Sequence, residues 1–133
     1  MQRRLIDTNI LVRYLMQDHE RHSAVATALF ERCDRGELSF LLLPEVLSEC
    51  VFVLESTYQR PRQAIAEALS ILIANSGIEL DDVNVHIDAL ARYGKSRMHF
   101  VDCLLAAHAS ARGIAVASFD AGFRKFSDVR VEV

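Results

Sequence analysis

Short apolar runs alternate with longer segments of helical period along this chain, and that alternation restricts its fold more than any other feature. Residues 38–43 form an apolar run of strand length, and residues 114–118 form another. In the segments between such runs, apolar residues recur every three to four positions, as in helices packed against a core. Strands alternating with helices favour a mostly parallel sheet with helices on both faces. We therefore predict a three-layer α/β/α protein with a mostly parallel central sheet of about four to five strands.

The predicted elements follow the order β-α-α-β-α-α-β-α-α-β-β. The first strand is short and buried and ends at Asp7, and the last is an alternating edge strand over residues 129–133. A length of 133 residues suits one core, so we expect a single domain over residues 1–133. After a first helix that contains residues 10–15, helices are predicted at about 23–35, 44–58, 62–75, 81–95 and 100–112.

Composition restricts the class of partner. The formal net charge is −3, which argues against a generic basic coat for nucleic acid. It does not argue against an enzyme that acts on nucleic acid, because a cation held by acidic side chains makes a local positive centre.

Cysteine use and hydropathy indicate the compartment. Cys33, Cys50 and Cys103 are odd in number, widely spaced and each within a helical pattern. We interpret them as buried thiols of a reducing cytoplasm and not as a disulfide frame or a zinc site. No apolar run reaches the length of a membrane span, and the N-terminus lacks the apolar core of a signal peptide. We expect a cytoplasmic protein with no membrane partner.

Four acidic residues stand apart from the solvated charges. Asp7 and Asp120 each follow a predicted strand, where open α/β sheets place their ligand sites. Asp102 opens a helix with apolar neighbours, and helix capping alone explains an acid there. Glu49 lies at the margin of the apolar face of its helix, where a carboxylate needs a partner.

Taken together, these acids predict a metal site. The carboxyl ends of parallel strands and the helix starts that follow them lie on one edge of a sheet, so Asp7, Asp120, Asp102 and Glu49 are expected to converge there. Clustered carboxylates repel one another, and Mg²⁺ or Mn²⁺ is the usual compensation. The alternative for each acid singly is a helix cap or a solvated surface charge.

The residues around the four acids resemble those of the PIN-domain ribonucleases, and more narrowly the VapC-type toxins of bacterial toxin–antitoxin pairs. The resemblance covers essentially the whole chain. It is carried by Ile6-Asp7-Thr8-Asn9, by Glu49 in the helix 46–54, by Asp102 in the segment 100–107, and by Ser118-Phe119-Asp120.

The resemblance implies an endonuclease that cleaves RNA. Asp7, Glu49, Asp102 and Asp120 would be the catalytic acids that bind Mg²⁺ or Mn²⁺, with Asn9, Ser118 and Thr8 as supporting polar residues. The implied partners are a cognate antitoxin, whose C-terminal segment covers the site, and a second copy of the chain in a homodimer. Glu45 competes with Glu49, which we prefer because it lies one turn further into the apolar helix.

The chemistry also fits the residues themselves. Hydrolysis of a phosphodiester needs an activated water and a stabilised leaving oxygen, and metal ions supply both. No Ser-His-Asp or Cys-His arrangement is evident, and His99 beside the Asp102 helix is a candidate for acid–base work. Arg97 is the first candidate for a contact with RNA phosphate. The full set of basic candidates is Arg3, Arg13, Arg92, Lys95, Arg97, Arg112, Arg124 and Lys125.

Two other functions are open at this point. A metal-dependent phosphatase of the haloacid dehalogenase type needs an acid two residues after its nucleophilic Asp, and this chain has Asn9 there. A non-catalytic binding or dimerisation module would use the acids only as caps. On that account Phe52, which lies opposite Leu54 on its helix, forms a partner or dimer contact.

Overall fold

The computed structural model describes residues 2–133. Within that range the chain forms three β-strands, six α-helices and one 3₁₀ helix. In chain order these elements are β1 (Gln2–Leu5), α1 (Thr8–Met16), α2 (Glu20–Asp34), β2 (Leu38–Leu41), α3 (Pro44–Ser56), α4 (Arg62–Ile73), β3 (Ile78–Glu79), α5 (Val83–Lys95), α6 (Phe100–Arg112) and the 3₁₀ helix (Ala121–Lys125).

The three strands form a parallel sheet in the order β1-β2-β3. Gln2 pairs with Leu38 at one end of the β1–β2 ladder, and Phe40 pairs with Ile78 in the next ladder. Because β2 lies between two strands, its apolar run is almost wholly buried, as expected for a parallel strand covered on both faces. The predicted α/β class with a parallel sheet is confirmed.

The prediction of four to five strands is too high for the described residues. Residues 114–118 and 129–133 meet through a single parallel bridge between Val116 and Val131 and form no continuous ladder. Val116 is buried in a small apolar cluster. The other buried members of this cluster are Phe123 and two alanines of α6. This packing holds residues 114–118 against α6. Among the described residues, the one segment that pairs with them is 129–133, through a single bridge.

The first strand also differs from its prediction. Every residue of β1 is exposed, and Leu5 keeps 68% of its surface open to solvent. Burial begins at Ile6, which is 4% exposed. The reason is the strand order: β1 pairs with β2 alone among the described strands, so its outer edge and much of its surface face water.

Most helix bounds agree with the prediction to within three residues, and their ends have local causes. α2 begins at Glu20 because the Nδ1 atom of His19 accepts a hydrogen bond of 3.0 Å from the amide of His22. Rules that favour Ser, Thr, Asp or Asn as N-caps miss this start. α6 ends where Gly113 adopts a φ of +65°, a left-handed conformation that glycine accepts without strain.

The core connects the two halves of the chain. Each of its fully buried leucines contributes about 1.5–3 kcal/mol relative to an exposed side chain. α3 packs against α1, α4 and α6, and α5 packs between α4 and α6. α3, which carries Glu49, therefore lies between α1, which follows Asp7, and α6, which carries Asp102. The fully buried leucines are Leu11, Leu38, Leu42, Leu47, Leu69 and Leu90.

Among residues 2–133, no helix has both the length and the apolar character needed to cross a membrane.

Candidate metal centre and nucleic-acid cleft

Asp7 is the N-cap of α1. Its backbone is extended, and its Oδ1 atom accepts a hydrogen bond of 2.9 Å from the amide of Thr8. The buried side chain of Ile6 precedes it, while the carboxylate of Asp7 itself is exposed. The capping role that the sequence allowed is therefore observed. Its Oδ2 atom accepts no hydrogen bond from the described residues, so capping occupies only part of the carboxylate.

Thr8 joins Asp7 to Glu49. The Thr8 side chain is 5% exposed, and its hydroxyl donates a hydrogen bond of 2.9 Å to Oε2 of Glu49 on α3. Glu49 is exposed, and this bond supplies the partner that its position on the helix predicted. Both carboxylates are thus hydrogen-bonded to one residue, through its amide on one side and its hydroxyl on the other.

Glu45 offers a useful contrast. It is exposed one turn before Glu49, and within residues 2–133 it makes no side-chain hydrogen bond or ion pair. The structure therefore favours Glu49 over Glu45 as the neighbour of Asp7.

The cysteines beside the acids are unreactive. Cys50 follows Glu49 and is fully buried, and burial, aided by the Glu49 charge, raises its pKa to about 12. Cys103 follows Asp102, and burial likewise raises the pKa of its thiol. Neither is a thiolate near neutral pH, so neither serves as a nucleophile or a soft metal ligand.

Asp102 lies in the first turn of α6 and is half-buried. Its carboxylate makes no hydrogen bond or ion pair with any described residue. The N-cap of α6 is His99, an exposed residue whose side chain makes no capping bond. The positive end of the helix dipole therefore favours the Asp102 charge without occupying its oxygens.

Asp120 is held in a compact turn. Its amide donates a hydrogen bond of 3.0 Å to the hydroxyl of Ser118, and its Oδ1 atom accepts one of 2.8 Å from the amide of Gly122. Ser118 thus supports Asp120 directly. Asn9 is exposed in the first turn of α1 and has no side-chain hydrogen bond within the described chain.

Of the four acids, Asp7 and Glu49 are the two that hydrogen bonds between described residues connect, through Thr8. In the part of the chain that is described, no three His, Cys, Asp or Glu side chains form a group able to hold a metal ion. No hydrogen bond between described residues connects Asp102 or Asp120 to Asp7 or Glu49. The segment that precedes Asp120 packs on α6 through Val116 and forms no strand pairing with β1.

The chemistry of Asp7 and Glu49 nevertheless fits a hard cation. Both offer carboxylate oxygens, and both are exposed with one oxygen free of described partners. Mg²⁺ is commonly bound through one or two carboxylates, with water and substrate phosphate completing its shell. Two carboxylates on a shared threonine satisfy that requirement.

A cleft of about 1190 Å³ lies beside Asp120. One wall is the end of α5 and its connection to α6, and the other is the 3₁₀ helix. We call it the basic cleft, because five cations and two acids line it. Its charged residues are Arg62, Arg92, Lys95, Arg97, Lys125, Asp88 and Asp120.

Arg92 and Asp128 form a bidentate ion pair beside the basic cleft. Nη1 of Arg92 lies 2.9 Å from Oδ1 of Asp128, and Nη2 contacts the second oxygen, so the pair is bidentate. Ser110 donates a further hydrogen bond of 2.8 Å to Asp128. The Arg92 and Ser110 hydrogen bonds hold the pKa of Asp128 well below its usual range. These contacts occupy the Arg92 guanidinium within the fold.

The guanidinium of Arg62 is also occupied by contacts within the fold. Its guanidinium lies 3.8 Å from the ring centre of Tyr93, donates to the Tyr93 carbonyl at 3.0 Å and pairs with Glu55 at 2.9 Å. It also donates to the carbonyl of Met98. It joins α3, α4, α5 and the α5–α6 connection.

The structure separates basic residues that the sequence left equivalent. Three candidates for phosphate contact are paired elsewhere, in Arg3–Glu79 at 2.9 Å, Arg13–Asp18 at 2.9 Å and Arg112–Asp82 at 4.0 Å. Lys95, Arg97 and Lys125 are exposed at the basic cleft and form no ion pair with a described residue.

One feature of this region went unnoticed in the sequence. Phe119, directly before Asp120, is 96% exposed. Its position between two polar residues could have predicted this exposure. An aromatic side chain in a polar turn has no apolar core to pack into.

Comparison with known proteins gives three findings. A family model described as PIN domain matches residues 4–129. A VapC ribonuclease of Aquifex aeolicus (strain VF5) is 28% identical over 123 residues, which are 92% of this chain and 90% of the relative. The crystal structure of Mycobacterium tuberculosis VapC20, a sarcin–ricin loop cleaving toxin, covers 96% of this chain and 98% of its own at 20% identity, with a TM-score of 0.44.

Proposed function

The chain belongs to the PIN-domain family, and on that premise we propose that it is a metal-dependent endoribonuclease, the toxin of a type II toxin–antitoxin pair. The observation that carries the proposal is the coincidence of the family match over residues 4–129 with the Asp7–Thr8–Glu49 arrangement. The name of the Aquifex relative, a VapC ribonuclease, supports the reaction class. We propose residues 1–133 as a single PIN-like domain of the cytoplasm.

Asp7 and Glu49 are the proposed ligands of Mg²⁺ or Mn²⁺. A divalent cation supplies activation of water and neutralisation of phosphate charge at neutral pH. Thr8 is a positioning residue: its buried hydroxyl fixes one oxygen of Glu49 while its amide fixes one of Asp7. The remaining oxygen of each carboxylate accepts no hydrogen bond from a described residue and is available to the metal.

Asp102 and Asp120 are the other proposed members of the acidic quartet. Asp102 has no competing partner among the described residues, and the turn from Ser118 to Gly122 holds Asp120 in a fixed orientation. Asn9 is proposed as a polar support at the metal and its waters. Arg97 at the basic cleft is the proposed contact to RNA phosphate.

A cognate antitoxin and a second copy of the chain are the proposed protein partners. Phe52 on α3 is 69% exposed, which keeps it available for such a contact. Val101 on α6 is 55% exposed, and both residues line one shallow pocket between the helices.

The test is cleavage of a panel of structured RNAs in Mn²⁺, in Mg²⁺ and in excess EDTA, by the wild type and by Asp7→Asn. Asn is as good an N-cap as Asp, so the variant is expected to keep α1 and lose only a metal ligand. Cleavage that requires the metal and disappears in the folded variant supports the proposal. Cleavage that survives either EDTA or the substitution contradicts it.

Calorimetry of Mn²⁺ binding to both proteins gives a readout independent of the RNA chosen. Equal binding by the wild type and Asp7→Asn, or none by either, would return these acids to the role of helix caps. Release of phosphate from a monoester in the same buffers, without RNA cleavage, would favour the phosphatase alternative.

A further inference from the structure

His86 on α5 is a buried histidine that the proposed function does not use. It is 2% exposed, and its Nδ1 atom lies 3.0 Å from the carbonyl oxygen of Asp82. A carbonyl oxygen only accepts hydrogen bonds, so Nδ1 must carry the hydrogen of this bond. In the neutral ring the other nitrogen, Nε2, is therefore an acceptor without a hydrogen.

Nε2 of His86 is buried as well, and no described residue forms a hydrogen bond with it. Nδ1 of His108 on α6 is buried in the same condition. The two rings lie edge to face, with their centres 6.3 Å apart and their planes at 83°. The contact between α5 and α6 thus contains two neighbouring imidazoles, each with one buried nitrogen that has no described partner.

Protonation of His86 would add a positive charge and a second N–H, at Nε2. That N–H would have no acceptor among the described residues. A buried donor without an acceptor is unfavourable, and so is a buried charge without a counterion. His86 also lies in the first turn of α5, where the positive end of the helix dipole disfavours a cation. The fold therefore favours the neutral ring.

The charged side chains around the pair supply no counterion. Oδ2 of Asp82, one turn before His86, lies 4.0 Å from Nη2 of Arg112, and these two opposite charges compensate each other. Within residues 2–133, no carboxylate forms an ion pair with either imidazole. The other charged residues of α4, α5 and α6 pair with different groups or have no described ion pair, and they are Arg62, Glu67, Asp88, Arg92, Lys95 and Asp102.

We propose that the His86–His108 pair is an acid-sensitive contact between α5 and α6. Both rings are neutral where the two helices pack, and uptake of a proton by His86 loosens α6 from α5. The position of α6, which carries Asp102, is thereby linked to the proton concentration. The inference goes beyond the proposed function, because it concerns the contact between two helices and not the reaction.

The dependence on pH has a definite sign. A histidine of the unfolded chain takes up a proton around pH 6.5. Between about pH 6.5 and 5 the unfolded chain therefore binds more protons at His86 than the folded chain does, so acidification favours unfolding. The stabilising contribution is complete above this range and is lost as pH falls through it. Asp128 is ionised in both states above pH 5 and does not contribute there.

The first test follows the ring proton resonances of the five histidines by NMR as pH falls from about 7.5 to about 5. His22 and His99 are exposed and serve as internal references. Their signals should shift over this range, as those of histidines in water do. The His86 signal should keep the position of the neutral ring while the protein stays folded. A His86 signal that shifts together with the references would overturn the proposal.

Urea unfolding of the wild type and of His86→Asn over the same pH range tests the contact through stability. The amide of Asn donates to the Asp82 carbonyl without titrating. The equilibrium constant for unfolding should therefore rise less steeply in the variant on acidification, by up to about tenfold per pH unit. The matched control, His99→Asn, should keep the slope of the wild type. Slopes are compared because removal of a buried ring lowers stability at every pH.

Hydrogen exchange of the wild type at about pH 7 and about pH 5.5 locates the opening. After correction for the intrinsic effect of pH on exchange, protection should fall in α5 and α6 by up to about tenfold. It should hold in α2, which packs on α1 and β2. An equal fall in all helices, or parallel unfolding curves for the wild type and His86→Asn, would overturn the proposal. The NMR titration needs no substitution and decides the matter if His86→Asn fails to fold.

Discussion

At the scale of single residues, Thr8 links Asp7 and Glu49, two acids that are distant in sequence. Its side chain is buried, whereas the two carboxylates that it holds are exposed. The rigid, desolvated hydroxyl of Thr8 thereby orients the exposed carboxylate of Glu49. An ordinary surface glutamate keeps its rotamer freedom, so this ordering is what a preformed ligand requires.

Thr8→Val tests that role, since it replaces the hydroxyl by a methyl group of similar size. Loss of one hydrogen bond should lower the free energy of unfolding by about 1 kcal/mol. The rate of RNA cleavage and the affinity for Mn²⁺ should fall by more than the loss of stability explains, because Glu49 loses its fixed orientation. Denaturant unfolding and calorimetry measure the two effects.

Thr8→Ser is the control, because it keeps the hydroxyl and should retain metal affinity. If Thr8→Val bound Mn²⁺ as the wild type does, the positioning role of Thr8 would be refuted.

Asp128 predicts a dependence of stability on pH. Its pKa is held below the unfolded value of about 3.9, so the folded state binds fewer protons than the unfolded state as pH falls toward and below 4. The contribution of the Arg92 pair is therefore complete at neutral pH and is lost as acid protonates Asp128. Because the Asp128 side chain is 48% exposed, we expect about 1 kcal/mol at most.

Asp128→Asn is the matching variant. It should be less stable than the wild type at pH 7 and should lose less stability between pH 5 and acid conditions. Urea midpoints over that range measure the difference, and parallel curves for the two proteins would contradict the prediction.

At the scale of elements, the connection between α5 and α6 is held from both sides. Arg62 of α4 donates to the carbonyls of Tyr93 and Met98, and the side chain of Met98 approaches Gly122 in the 3₁₀ helix. The two walls of the basic cleft thus meet through Met98. We therefore expect a change at that contact to affect both the cations of one wall and Asp120 on the other.

Gly122→Ala tests this coupling. A Cβ at position 122 would clash with Sδ of Met98 and would lie 3.0 Å from Oδ1 of Asp120. The flexible end of the Met98 side chain can move away at small cost, so we expect a loss of stability below the roughly 1–3 kcal/mol of core overpacking, together with a shift of the Asp120 carboxylate. We expect lower RNA cleavage together with a modest fall in melting temperature.

The double variant Gly122→Ala/Met98→Ala is the control, because the shorter side chain removes the clash with sulfur. It should recover part of the activity. Equal activity in Gly122→Ala and the wild type would show that the Asp120 turn tolerates the shift.

At the scale of the whole molecule, Phe52 is the contact that we propose for a protein partner. Phe52 of α3 is 69% exposed, yet the same helix is buried on its other side through Leu47, Cys50 and Leu54. An aromatic side chain of that size in water is favourable to bury, and its removal costs the fold little.

Phe52→Asp should therefore leave the melting temperature nearly unchanged and weaken self-association. Sedimentation equilibrium measures the dissociation constant of the proposed dimer. Ile71→Asp is the control, because Ile71 is 76% exposed on α4 and should leave association unaffected. A Phe52→Asp protein that associates as the wild type does would assign the dimer contact to another surface.

Local sequence determined most of the elements. Helical period, Gly113 and Pro44 placed α3 and α6, and the apolar run at residues 38–43 placed the central strand. These features depend on interactions within a few residues, which a sequence contains in full. The start of α2 was missed because His19 is an uncommon cap, although its bond to His22 is equally local.

The sequence also identified the acids worth examining, but only the tertiary structure decided which of them meet. Asp7 and Glu49 are joined because α1 packs on α3 and carries Thr8 into the contact. Asp120 follows Val116, which is buried against α6, and no hydrogen bond between described residues connects it to Asp7 or Glu49. In the same way, only the structure shows that Lys95, Arg97 and Lys125 line the basic cleft without an ion pair to a described residue. Such distances depend on how helices pack and strands pair, and a linear pattern of residue types does not contain them.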